Sequence, residues 1–150
     1  MKRMKRLAAV FAVVVLALSA FALMACGDDT GKSNATLLAS TDTLVVIRAE
    51  KTGGSVEDAM KQFQTDGKLE YAGEDGQYGW FLTSVNGNTL TGNAYWAVYT
   101  TLGTYEDVAY SNAEYGTYDY EDTTCSYALY GITGLPLVAG NLYVLTVATY

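Results

Sequence analysis

The chain has 150 residues, half of them hydrophobic, with 9 basic side chains against 16 acidic ones and a formal net charge of −7. That length holds one domain beyond a targeting segment, and the acidic balance argues against nucleic-acid binding. Histidine is absent and Cys occurs twice, which excludes His-based acid–base catalysis, Cys–His nucleophiles, His zinc sites and multi-disulfide scaffolds.

Lys2, Arg3, Lys5 and Arg6 precede an apolar run over residues 7–25, the layout of a secretory signal peptide. The run closes on Leu23, Met24, Ala25 and Cys26, and a small residue followed by Cys at this point resembles the lipobox of bacterial lipoproteins. That resemblance implies a signal peptide over 1–25, diacylation of the Cys26 thiol, and a protein held outside the cytoplasm at the cell membrane. An uncleaved anchor is the other reading of an apolar run with a basic flank, and it too leaves the remainder outside the cytoplasm. Cleavage before Cys26 removes four basic residues and no acid, taking 9 basic to 5 against 16 acidic, a net charge of −11. Acyl chains, worth about 0.8 kcal/mol per buried CH2, then hold a strongly acidic domain that anionic headgroups repel. Cys125 is left as the lone free thiol, and it reads as a small buried hydrophobe rather than a reactive group.

Residues 26–42 read as the acylated Cys and a flexible tether, because 27–36 are small and polar and bury too little to offset ordering. Branched residues over 43–50 predict a strand. Ser55 offers a helix cap, Glu57 and Asp58 suit the first turn, and Val56, Ala59, Met60 and Phe63 fall at helical spacing. A helix over about 55–66 follows, stopped by Gly67. Strands are expected at 68–72, 78–85 and 95–102, with a tight turn at Asn86-Gly87-Asn88. Gly131, Gly134 and Pro136 mark a loop, and 141–149 has the two-sided apolar pattern of a central strand. Strand, helix, then several strands predict an α+β domain with a mixed sheet and one packed helix.

Residues 103–130 form a separate acidic block rich in Tyr, without a period, and read as an insertion. Glu106, Asp107, Glu114, Asp119, Glu121 and Asp122 offer oxygen ligands, but the loop spacing of calcium sites is absent, so a solvated acidic face is expected and no metal site. Tyr between acids makes an adaptable contact surface for a partner. No combination of nucleophile, base and orienter stands out, so the chain reads as a non-enzyme.

Gly54-Ser55-Val56, the segment Tyr78 to Gly87, Tyr95-Trp96 and the ending Tyr143 to Tyr150 carry a resemblance. In these pieces the chain resembles the C-terminal domain of transcobalamin and gastric intrinsic factor, and the bacterial lipoproteins of unknown function that share it. The resemblance implies a β-grasp-like domain over 43–150, of the soluble-ligand-binding type, whose ligand is a corrinoid. Carried over by position, Gly79 lets backbone approach the ligand, Trp80, Phe81 and Leu82 supply contact area, and Thr83 and Ser84 offer hydroxyls. Tyr95 and Trp96 flank them on the neighbouring strand. A flat, partly apolar macrocycle edged with amides fits such groups. One small domain leaves the other face of the macrocycle bare, so a transporter or second binding protein is the expected partner. Trp80 and Trp96 are equally readable as core residues, since alternation lets only one side of each strand face the helix. The alternative function is a protein-interaction or adhesion module that uses the Tyr-rich acidic block to hold a surface protein or polysaccharide.

Overall fold

The computed structural model describes residues Ser33–Tyr150, which form one compact unit. The expected signal peptide, the expected lipidation residue Cys26 and the start of the expected tether lie outside the described residues. Eleven strands and one helix appear among them: β1 Ala35–Ser40, β2 Leu44–Ala49, α1 Val56–Thr65, β3 Tyr71–Gly76, β4 Gly79–Val85, β5 Asn88–Thr89 and β6 Ala94–Thr100. β7 Thr104–Tyr105, β8 Val108–Ala109, β9 Ser111–Tyr120, β10 Thr123–Ala128 and β11 Leu142–Thr149 complete the order. The domain is mostly β structure with one helix, an α+β arrangement.

The main sheet has six strands in the order β1-β2-β11-β6-β10-β9. The two-sided apolar strand β11 is central, as its pattern predicts: Val144 pairs with Val46 of β2 on one side and Tyr99 of β6 on the other. Three sequence expectations are corrected. Every pair in this sheet is antiparallel, so it is not mixed. Part of the expected tether is ordered, because Ala35 and Leu37 alternate onto the core side of edge strand β1 and Ala35 is buried. The 103–130 block is no appendage: β9 and β10 extend the main sheet past β6. Three of its acids make turns: Glu106, Asp107 and Glu121 adopt positive φ at the β7–β8 and β9–β10 connections, which places their carboxylates at hairpin tips in solvent, while Glu114 and Asp119 lie on β9.

The helix forms where the pattern predicts it. Ser55 and Asp58 form a reciprocal capping box, and Val56, Ala59, Met60 and Phe63 are buried. Its first amide donors are all satisfied: Val56 donates to Leu135 O and Glu57 to Ile132 O, Asp58 donates to Ser55 Oγ, and Ala59 to Ser55 O. The 131–138 loop is thus tied to the helix start, and it drives Ile132, Leu135 and Leu137 into the core. At the other end Gly67 takes φ 71°, with Gly67 N–H on Gln64 O and Lys68 N–H on Phe63 O. These two bonds make a Schellman stop, which a residue with a Cβ adopts less readily. The stop occupies Lys68, and Leu69 is buried, so the next strand starts at Tyr71 rather than at 68.

β3, β4 and β5 form a second, small sheet. Asn86 and Gly87 both have positive φ, the geometry of a tight hairpin turn. Asn86 also staples this sheet to the β1–β2 turn: its side chain donates to Ser40 Oγ at 2.9 Å and Thr41 O at 2.8 Å, and accepts from Glu70 N–H at 2.9 Å. Asn88 adds a bond to Asp42 O at 2.7 Å.

Candidate functional site

The residues expected to meet a ligand fall on two separate elements. Gly79 to Ser84 all lie on β4, in an arm that β3 and β4 build as a hairpin. Glycines on β3 shape this arm. A Cβ at Gly73 would collide with the Trp80 ring, and one at Gly76 with the Phe81 ring, so both rings lie across the partner strand. Alternation sends them to opposite sides. Trp80 turns inward, packs against the core and meets Tyr71 edge to face, with ring centroids 6.3 Å apart. Phe81 turns outward and is 48% exposed, while Tyr78 at the tip is 97% exposed. Leu82 packs against the core, and the Thr83 hydroxyl donates to Ala72 O at 3.2 Å. Ser84 opens toward a shallow cleft with Tyr71 and Gln64.

Trp96 and Tyr95 do not complete this surface. Adjacent residues of β6 point to opposite sides of the sheet, and Trp96 points to the helix side, where it is 7% exposed inside the core. The expectation of an exposed Trp96 is corrected by burial against that layer. It borders an open cleft of about 240 Å3 together with Val98, Ala128, Leu129 and Tyr130. Its Nε1–H is buried with no acceptor among the described residues, a cost of about 1–3 kcal/mol for a neutral donor. Tyr95 stands on the helix-free side, 5.5 Å from the Tyr150 ring.

On the helix-free side the tyrosines of the 103–130 block, expected to form a contact surface, join tyrosines outside the block, which sequence reasoning missed. The pairing of β6, β9 and β10 brings Tyr99, Tyr118 and Tyr127 into one cluster, with Tyr99 5.7 Å from Tyr118 and 5.5 Å from Tyr127. Burial raises the pKa of Tyr99 and Tyr127, with further contributions from the neighbouring Tyr95. The signal lay in strand parity: Tyr118, Tyr120 and Tyr127 alternate toward one face once β9 and β10 are read as sheet strands. Cys125 lies beneath them, fully buried, and desolvation pushes its thiol up, which makes it a poor nucleophile.

Among the described residues no group of three or more Cys, Asp or Glu is placed to hold a metal ion, and no helix is long and apolar enough to cross a membrane. No protein-family model matches this chain, and no curated protein or solved structure matches it.

Proposed function

We propose that the chain is an exported, lipid-anchored, non-catalytic binding protein whose β3–β4 arm takes a flat, partly apolar ligand, a corrinoid of the cobalamin type. The observation that carries this reading is the pair of exposed aromatic residues Tyr78 and Phe81 on an arm braced from within by Trp80. Exposed rings held on a hairpin offer contact area to a flat ligand. The resemblance of this segment to the corrinoid-carrier domain supplies the ligand class, and in that reading the main sheet and helix stand as the β-grasp-like body. One arm covers one face of a macrocycle, so the affinity of the domain alone is about micromolar or weaker, and a transporter or second binding protein closes the site.

Titration with cobalamin and with cobinamide, followed by calorimetry and by tryptophan fluorescence corrected for inner-filter effects, tests the ligand. Saturable heat that Phe81→Ala and Tyr78→Ala weaken about tenfold is expected. No heat up to about millimolar ligand, weaker than about −4 kcal/mol, removes the corrinoid. Anchoring is tested separately, since Cys26→Ser abolishes labelling by a radioactive fatty acid if this thiol carries the acyl chains, and label retained in that variant overturns the anchor.

A further inference from the structure

The helix-free face of the main sheet buries Val46, Cys125 and Val144 completely, yet every residue packed around them comes from the six strands themselves. No second layer covers this face among the described residues; tyrosine rings form the larger part of the lid, with Ala39, Leu44 and Leu142 beside them. The rings run obliquely across the sheet, from Tyr150 and Tyr95 through Tyr127 and Tyr99 to Tyr118 and Tyr120. At its Tyr120 end the stripe meets an open cleft of about 550 Å3, also lined by Thr123, Asn141 and Arg48. The regular pairing of the strands places one charged side chain on this face, Arg48, and its Nε is held by Glu50 at 2.9 Å.

These features define the occupant by its chemistry. Val46 and Val144 lie beneath the rings, and Leu38 and Leu142 stand at the cleft, so what the stripe presents is aromatic faces rimmed with hydroxyls, with an aliphatic patch at one end. A purely apolar peptide segment gains little from those hydroxyls. A pyranose ring gains from both parts, because its C–H-rich face settles on the negative face of an aromatic ring while its rim hydroxyls exchange hydrogen bonds with phenols. Charge narrows the choice further. The chain carries 16 acids against 9 bases, and its long-range field opposes polyanions, while the tyrosine stripe itself is uncharged and one acid, Glu121, lines the cleft at its end together with Arg48. An oblique, neutral stripe running into a cleft suits an uncharged linear chain. We infer that the tyrosine face binds a neutral polysaccharide, and that it does so independently of the β3–β4 arm.

The test uses the full chain in detergent, sedimented with insoluble β-glucan, chitin and mannan, and titrated with the matching soluble oligosaccharides. Retention on at least one polymer is expected, with affinity rising with oligosaccharide length and changing little with salt. Tyr118→Ala and Tyr150→Ala should each weaken binding about tenfold; Tyr150 is 82% exposed, so its removal leaves the fold intact. Phe81→Ala on the arm should leave glycan binding unchanged, which separates this proposal from the corrinoid reading. Three outcomes would overturn it: no retention on any of the three polymers, binding that the double variant Tyr118→Ala/Tyr150→Ala leaves intact, or binding that disappears at moderate salt. Concentration-dependent dimerisation that the same variants abolish, without glycan retention, would assign the face to a second copy of the chain instead.

Discussion

The two faces of the six-stranded sheet bury their inner residues equally well by different means. On the helix side Val45, Ile47, Tyr143 and Leu145 are fully enclosed under α1 and the 131–138 loop. On the other side Val46, Val144 and Cys125 are just as inaccessible, but what covers them is the partly buried rings of Tyr99, Tyr118 and Tyr120 with Ala39, Leu44 and Leu142. A layer of backbone elements excludes water by interlocking, and any vacancy there is enclosed on all sides. A layer of side chains excludes water with single rigid groups, whose outer surfaces remain available to a ligand. The first arrangement serves stability, and the second leaves a surface that can bind.

Substitutions graded by size test this difference. The largest loss is expected at Phe63, the last buried residue of the helix stripe, where Phe63→Ala should cost about 3–5 kcal/mol by leaving a cavity. A denaturant midpoint close to that of the parent would show that the helix is not packed as described. Tyr143 comes next. Its hydroxyl donates to Pro136 O at 2.6 Å and accepts from Val138 N–H at 3.0 Å, so Tyr143→Phe strands two polar groups of the loop and should cost about 1–3 kcal/mol. Equilibrium unfolding measures it, and a neutral result would detach the loop from the sheet.

Ser55→Ala removes the helix cap and should cost about 1 kcal/mol. It also tests a pH effect, because the backbone and hydroxyl of Ser55 hold the Asp58 carboxyl below its ordinary range. A depressed carboxylate contributes stability that is present above its unfolded pKa, about 3.9, and is lost as pH falls through the folded value. The parent should therefore lose more stability than Ser55→Ala on acidification below about pH 4, and parallel acid profiles would refute the linkage. Tyrosines give the opposite sign. Burial raises Tyr99, Tyr127 and Tyr143, so their contribution is complete below the unfolded pKa of about 10 and declines as pH rises beyond it. Ultraviolet titration of phenolate should find these three ionising above the ordinary tyrosine value of about 10, and ionisation of Tyr99 and Tyr127 at that ordinary value would place the cluster in open solvent.

The smallest stability effect belongs to the helix-free face. Tyr118→Ala removes one cross-strand aromatic partner and should cost about 0.2–1 kcal/mol. A loss as large as that of Phe63→Ala would mean that the tyrosines form a structural core rather than a binding surface.

Local chemistry settled much of this protein before any tertiary contact was considered. The helix boundaries were legible because capping, apolar spacing and a glycine stop all act within about two turns of chain. The Asn86-Gly87 turn and the centrality of β11 were legible for the same reason: positive φ and two-sided apolarity are properties of a few neighbouring residues. Gly79 to Ser84 could be assigned to a strand, but which of their side chains face outward depended on the rings that Gly73 and Gly76 accommodate across the hairpin. The disposition of Tyr95 and Trp96 likewise turned on which side of β6 the helix covers, a choice between two faces that alternation alone leaves open. Least legible was the 103–130 block, where turn acids such as Glu106 and Glu121 and strand tyrosines such as Tyr118 and Tyr127 mix into one unperiodic composition. Only pairing β10 with β6, residues 26 and 28 positions apart in the chain, brought Tyr127 and Tyr118 to the face of Tyr99, because strand register is decided by partners that the local sequence does not contain.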